Sequence, residues 1–418
     1  MSSDADVFAA YTTKTVDFRY RGASFHLGLS HGLFSSADVD SGSRFLLRFL
    51  SLIFDAAVKA GKPLPKTVLD AGSGIGVLGL AIGRTLVDAG NPGVAVRAQD
   101  RDELARVFSA QNAVRNGLGA GVFNAFTEKM LDGSEGARYD LIVSNLPAKA
   151  GSPVLANFFH RSSRMLTAGG SVAVVIVNTL ADSARKWLRD ADAPILAEET
   201  GIEHTVFVYG ESRAPGKEAA SDPYLRTEAE HELESIRYAI RALHGVADFT
   251  EPSRAVAVAA KLALKLGVFA RVLVHEAEQG HFPVFLASAA RREKRSMPDF
   301  VICGRNTLAL EAARDNTAAC GAQAVTVPVA DFGLCAEQVS ADFGNFDLVA
   351  TFPDIVPRTD RFTDTWKGAA KVLLPGGYLV IAVSSSDAAR FDKLKTTDFT
   401  RAGDLKRDGF RALAYRRK

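Results

Sequence analysis

The sequence predicts an α/β protein of two tandem, doubly wound, parallel-rich sheets, and three observations predict it. Short apolar runs of strand length alternate with segments whose apolar residues recur at helical period. The same order of segments returns roughly two hundred residues later. At 418 residues the chain exceeds one ordinary core.

The elements follow in order. TVDFRYRGASFHLGLSHGLFS alternates around Gly22 and reads as a β-hairpin lead-in. Residues 67–87 read strand, glycine turn, then the apolar-periodic helix VLGLAIGRTLV. VAVRAQD (94–100) is a second strand, followed by the helix RDELARVFSAQNAVRNG, stopped by Asn116-Gly117. YDLIVSN (139–145) is a buried strand, PVLANFFHRSSRML a helix, and AGGSVAVVIV a turn into another strand. In the second half LVHEAEQGHFPVFLA answers TVLDAGSGIGVLGLA, which sets Glu276 at the place of Asp70, Glu278 at Gly72 and Phe282 at Gly76. GRNTLALEAARDNTAACG answers DRDELARVFSAQNAVRNG, with Asn316 for Asn112 and Gly304 for Asp100. FDLVATF answers YDLIVSN, with Phe352 for Asn145, and VLLPGGYLVIAV answers MLTAGGSVAVVI.

The join is expected in YGESRAPGKEAASDPYLRTEAE (209–230), rich in Gly, Pro, Ser and charge, leading into an amphipathic helix at roughly 226–243. The expected domains are 1–212, which binds a ligand, and 213–418, a degenerate copy.

Hydrophobic residues at 47% and charged residues at 23% are ordinary globular values. A formal charge of +2 excludes a strongly basic nucleic-acid coat and leaves room for local patches. No basic leader with an apolar stretch opens the sequence, and no apolar run reaches the ~20 residues of a membrane helix, so a cytoplasmic protein is expected. Cys303, Cys320 and Cys335 lie far apart without a C-x-x-C, and the histidines show no metal spacing. Buried thiols, no disulfide and no metal are expected.

Gly72, Gly74 and Gly76 allow a tight turn and close approach of a ligand to backbone. Their G-x-G-x-G spacing differs from the G-x-G-x-x-G of dinucleotide sites, and Asp70 just before them would repel a pyrophosphate. A cationic nucleoside, S-adenosylmethionine, suits the acid better, and Asp100 at the next strand end is placed to accept both ribose hydroxyls. A tight turn with a helix-capping acid remains the structural alternative.

HGLFSSADVDSGSRFLLRFL, VLDAGSGIGVLGLAI, NAVRNG and IVSNLPAKAG together resemble the "methyltransferase small" family of class I S-adenosylmethionine-dependent methyltransferases, over about residues 15–210. That family includes guanine-N2 methyltransferases of ribosomal RNA, some with tandem copies, one active and one degenerate. The resemblance implies two Rossmann-like domains, with the active copy first where the family's is usually second. It assigns Asp70, Ala71, Gly72, Ser73, Gly74 and Gly76 to the cofactor loop. Asp100 would take the ribose, and Arg101 would border the adenine. Phe126 would pack on the adenine face, where the second copy's VTVPVAD ends in Asp331. Asn145 and Pro147 would carry the chemistry.

Methyl transfer to an exocyclic amine needs positioning more than acid–base help. An asparagine oxygen and a proline-fixed carbonyl accept the amine's protons, and an aromatic stacks on the base. Here Asn145-Leu146-Pro147-Ala148 departs from the family's N-P-P-aromatic, so Phe158, Phe159 or an aromatic of the other domain is expected to stack. ARREKR (290–295) and residues 401–418 are expected to hold RNA phosphates from a cofactor-dead second copy. The implied partner is RNA, with a guanine N2 of ribosomal RNA as target. The rivals are a protein glutamine amide and a non-catalytic RNA-binding or ribosome-assembly role.

Overall fold

Two sheets of identical strand order organise the chain, each the centre of one compact unit; the units comprise Asp4–Tyr224 and, chiefly, Leu225–Lys418. The computed structural model describes residues 3–134, 136–213 and 222–418. The part of the expected join at 214–221 therefore lies outside the described residues.

The first unit opens with helix α1 (Asp4–Tyr11) and the hairpin β1 (Lys14–Tyr20) and β2 (Ala23–Leu29). Arg21 and Gly22, at φ 47° and 83°, make its two-residue turn, the hand that matches strand twist. Helix α2 (Ser41–Lys59) buries Leu46, Leu47, Leu50 and Phe54, a helical-period stripe. The order then runs β3 (Thr67–Ala71), α3 (Val77–Asp88), β4 (Ala95–Asp100), α4 (Glu103–Arg115), β5 (Phe123–Thr127), β6 (Tyr139–Asn145), α5 (Ser152–Ser162), β7 (Leu166–Val177), α6 (Ala181–Asp190), β8 (Ile195–Thr200) and β9 (His204–Tyr209). The sheet order is β5-β4-β3-β6-β7-β9-β8, parallel except at β9. Val68, Leu69, Leu141, Ile142 and Val143 are buried, as central parallel strands covered on both faces require. The strand order reverses between β3 and β6, so their carboxyl ends border the switch-point crevice.

The second unit follows the same plan. It comprises β10 (Leu225–Leu233), β11 (Ile236–Leu243), α7 (Arg254–Leu266), β12 (Arg271–His275), α8 (His281–Arg292), β13 (Asp299–Gly304), α9 (Thr307–Ala319), β14 (Ala324–Pro328), α10 (Phe332–Phe343), β15 (Phe346–Thr351), α11 (Arg361–Val372), β16 (Leu373–Ser384), α12 (Ser385–Lys393), β17 (Phe399–Arg407) and β18 (Phe410–Arg417). The order β14-β13-β12-β15-β16-β18-β17 repeats the first sheet strand for strand.

The helix expected at 226–243 is instead the hairpin β10–β11. Ile236, Tyr238, Ile240 and Ala242 are buried and alternate with exposed residues, a period of two that the helix-favouring glutamates before them mask. Glu234 and Ser235 at φ 46° and 61° turn the chain as Arg21-Gly22 do. Each unit thus carries a hairpin ahead of its sheet.

Candidate cofactor cleft and the asparagine loop

The glycine turn links β3 to α3 at the switch point. The N–H groups of Gly72 and Ser73 both donate to the Gln99 carbonyl, at 2.8 and 3.0 Å, tying the turn to β4. Gly72, Gly74 and Gly76 have φ of 74°, 55° and 90°, the left-handed region. A Cβ on Gly72 or Gly74 would meet nothing within 4 Å, whereas one on Gly76 would strike Ser109 at 3.2 Å. The first two glycines therefore face open space, and the third packs on α4.

Helix α4 holds the turn by two side chains. Ser109 Oγ donates to the Gly74 carbonyl at 2.9 Å and lies 3.1 Å from Ser73 Oγ. Asn112 donates to the Ile75 carbonyl at 3.0 Å and accepts from Gly28 N–H at 2.8 Å, coupling turn and hairpin. Sequence reasoning missed both roles. The signal was a polar residue on a helix's buried face, matched by Asn316, which bonds Gln279 and Arg241 in the same pattern.

Asp70 is buried, and its Oδ2 accepts the N–H of Gly79 in the first turn of α3 at 2.8 Å. The acid thus takes one of the helix's N-terminal donors and sets a carboxylate where a phosphate would otherwise sit. Its Oδ1 is buried without a partner. Burial, reinforced by the nearby Asp100, pushes the carboxyl up to about 7. Asp100 ends β4, and its carboxylate accepts from Gly74 N–H and Asp102 N–H, each at 3.0 Å. Burial raises its pKa as well. Two carboxylates, one with an orphaned oxygen, beside glycines whose Cβ positions are open fit a compact cationic nucleoside and disfavour an anionic one.

Ala71 is buried, and its carbonyl accepts Ser144 Oγ at 2.6 Å, which joins the ends of β3 and β6. Arg101 follows Asp100 at the rim, half-buried. Phe126 does not join this group. It pairs with Gln99, on the opposite face of the sheet from Asp100, is 37% exposed, and carries the Arg97 guanidinium 3.8 Å from its ring centre. The buried Gln99 instead organises this side, donating to the Met130 and Asp132 carbonyls at 2.6 and 3.0 Å and so shaping the loop after β5.

Asn145 ends β6. Its Nδ2 donates to Asp40 Oδ2 and to Ser43 Oγ, the latter at 3.1 Å. Leu146 occupies the place of a proline with a reason: its side chain is buried and its N–H donates to the Val175 carbonyl at 3.0 Å, a bond proline cannot make. Pro147, at φ −72°, fixes the next peptide and starts a single 3₁₀ turn at Ala148–Ala150. Phe158 and Phe159, expected to stack on a base, are fully buried, and Phe159 packs on Trp187 and Tyr209. Both rings belong to the core of the first unit.

The second unit's turn corrects the register read from the sequence. Glu276 N–H donates to the Cys303 carbonyl at 2.9 Å, as Gly72 does to Gln99, and Gly280 starts α8 at φ 87°, as Gly76 starts α3. Glu276 therefore stands at Gly72, Glu278 at Gly74, Gly280 at Gly76 and Val274 at Asp70; the acid-to-acid match was two residues out. Pro283 stands at Gly79, so the capping acid and the N–H it caps are lost together. On the third strand Val327 opposes Cys303 as Phe126 opposes Gln99, while Asp331 lies beyond β14 and caps α10.

Glu276 and Glu278 keep the left-handed backbone at φ 58° and 49°. The Glu276 carboxylate lies over Gly304, where a Cβ would meet its Oε2 at 3.0 Å, and it faces Arg361 at 3.4 Å, His275 at 3.5 Å and Arg305 at 4.0 Å. Burial, with Arg361 adding, holds His275 well below its ordinary pKa. This cleft is filled by its own side chains.

The basic stretches are largely tied up locally. Asp404 pairs with Arg401 and Arg411, Arg416 donates to the Gly376 carbonyl at 3.2 Å, and Arg292 to the Ser235 carbonyl at 2.9 Å. Cys303 and Cys320 are buried free thiols. Among the described residues no group of three metal-ligating side chains occurs, and no helix is long and apolar enough to cross a membrane.

Residues 25–191 match the model of the methyltransferase small domain. The Bacillus subtilis protein YbxB, itself uncharacterised, is 28% identical over 164 residues, 39% of this chain and 74% of its own length. Ribosomal RNA small subunit methyltransferase C of Vibrio cholerae is 30% identical over 165 residues, 37% of this chain and 41% of its own. In fold, the chain is similar along 98% of its length to all of the T. thermophilus 16S rRNA N2 G1207 methyltransferase, solved with AdoMet and guanosine, at a TM-score of 0.64 and 16% identity.

Proposed function

From the match of residues 25–191 to the methyltransferase small domain, we propose that this chain is an S-adenosylmethionine-dependent methyltransferase acting on an exocyclic amine of RNA, with a guanine N2 of ribosomal RNA as the leading target. One observation carries the reading. The Ser144–Ala71 hydrogen bond ties the end of β6, with Asn145, to the end of β3, with the glycine turn. An amine acceptor and a cofactor cradle then share one crevice.

In this reading Asp70 and Asp100 draw the cationic nucleoside into the crevice, Gly72 and Gly74 let it approach the backbone, Ser73 and Arg101 border it, and Gly76 lets the turn pack on α4. When bound, the cofactor would supply an electrophilic methyl group for transfer to the amine nitrogen. Asn145 Oδ1 would accept a hydrogen bond from one amine N–H and the carbonyl before Pro147 one from the other, which aims the lone pair. The product nitrogen sheds its proton to solvent. Phe34, 72% exposed on the loop entering α2, is the candidate to stack on the base. The cytoplasm is the compartment proposed for this work.

A second reading, a non-catalytic RNA-binding factor, is favoured by one feature: Ala148 replaces the stacking aromatic while Phe158 and Phe159 are buried. Labelled S-adenosylmethionine incubated with RNA, ribosomal particles and protein from cells lacking this chain tests both. Label in ribosomal RNA is expected. Label only in protein would move the substrate to a glutamine amide, and cofactor binding without label anywhere would favour the non-catalytic reading.

A further inference from the structure

The amide of Asn145 is gripped from outside its sheet. Asp40 caps helix α2, its Oδ2 accepting the Ser43 N–H at 2.8 Å, and the same oxygen accepts Asn145 Nδ2. Ser43 Oγ, one turn into α2, accepts Nδ2 as well. A carboxylate only accepts hydrogen bonds, so the amide edge facing it must be the NH₂ edge. With both amide hydrogens engaged, the group cannot turn over without setting its oxygen against Asp40, a repulsive contact in a half-buried site.

The grip is itself braced. Arg44 donates to the Val39 carbonyl at 3.0 Å and to Asp38 at 2.9 Å, pinning the chain on either side of the cap. A Cβ at Gly42 would meet the His204 ring at 3.2 Å and Asp40 Oδ2 at 3.3 Å, so the missing side chain lets the ring and the carboxylate close around the helix start.

We propose that Asp40, with Ser43, is a positioning residue that sets the polarity of Asn145. It holds the amide oxygen toward the methyl acceptor, so that the site admits groups bringing N–H donors and rejects those bringing only acceptors. This rests on the reading of Asn145 as the amine acceptor. An amide free to flip would offer oxygen or NH₂ in turn and would bind a ring nitrogen or carbonyl as readily as an amine. Held by Asp40, it selects an amino group before any base-specific contact is made.

The test uses the full chain. Asp40→Ser keeps a capping oxygen and removes the carboxylate. Side-chain amide hydrogen exchange at Asn145, followed by NMR without substrate, should quicken about tenfold or more in Asp40→Ser. Turnover of labelled S-adenosylmethionine on ribosomal particles should fall about tenfold or more in kcat, while cofactor Kd stays within about twofold. Asn145→Asp should also be slow, since two carboxylates then face each other. The exchange pair Asp40→Asn with Asn145→Asp restores a donor to an acceptor with an oxygen still presented, and should recover turnover above either single variant. Unchanged exchange at Asn145 in Asp40→Ser, or unchanged kcat, overturns the role of Asp40. Full turnover in Asn145→Ala would instead sink the acceptor reading beneath it, whatever the exchange rates show.

Discussion

The β3–α3 and β12–α8 turns follow one backbone path and carry opposite chemistry. Both tie their first N–H to the neighbouring strand, at 2.8 and 2.9 Å, and both hold three successive left-handed positions two residues apart. In the first turn those positions are Gly72, Gly74 and Gly76; in the second they are Glu276, Glu278 and Gly280. A non-glycine residue held there costs on the order of 1–3 kcal/mol, so the second turn keeps its path against local preference. The scaffold holds the conformation; what glycine adds in the first turn is vacancy. What separates the two clefts is side chains entering a preserved backbone path, with Glu276 lying where Asp100 would stand and two buried arginines facing it.

The largest expected effect comes from importing that vacancy's filler. Gly72→Glu should leave the chain folded, as Glu276 is tolerated, yet weaken S-adenosylmethionine binding about a thousandfold by calorimetry. Next, Glu276→Gln removes the anion facing Arg361, which is 4% exposed. Breaking a buried pair costs about 3 kcal/mol, so Tm of the second unit's transition should fall while cofactor Kd is unmoved. A changed Kd would mean the second cleft takes part in binding. Asp100→Gly, matching Gly304, should then cost about a hundredfold in affinity, from two charged hydrogen bonds to the ribose.

The smallest effect is on pH dependence. Asp70 has its folded pKa raised from 3.8 to about 7. A carboxyl bound to its proton more tightly in the folded state stabilises the fold fully below about pH 4, and that contribution is lost as pH rises toward about 7. Asp70→Asn should flatten this slope in denaturant titrations of the ligand-free chain. In wild type a cation beside Asp70 favours its charged form, so cofactor Kd should fall as pH rises from about 6 to about 8. A flat Kd profile would mean that Asp70 only caps α3.

Much of the fold was legible because its signals are local. The runs around Val68, Ile142 and Val174 announced central strands, and the paired segments announced two copies. What failed was register and partnership. Matching Glu276 to Asp70 was chemically attractive, but the backbone bonds of Gly72 and Glu276 decide the alignment, and those are made to another strand. The hairpin at Leu225–Leu243 hid behind glutamates that favour helix in isolation. Phe158 and Phe159 look available in a linear string, yet they lie on the face of α5 that turns inward. The contact between Asp40 and Asn145 spans 105 residues of sequence, and no spacing rule brings it forward.

One measurement bears on the contrast between the clefts most directly: the stoichiometry of S-adenosylmethionine binding to the full chain by calorimetry, in wild type, Gly72→Glu and Glu276→Gln. One equivalent is expected in wild type and Glu276→Gln, and none in Gly72→Glu at the same concentrations. Two equivalents in wild type, or one that survives Gly72→Glu and vanishes in Glu276→Gln, would contradict the assignment of the working cleft to the first unit.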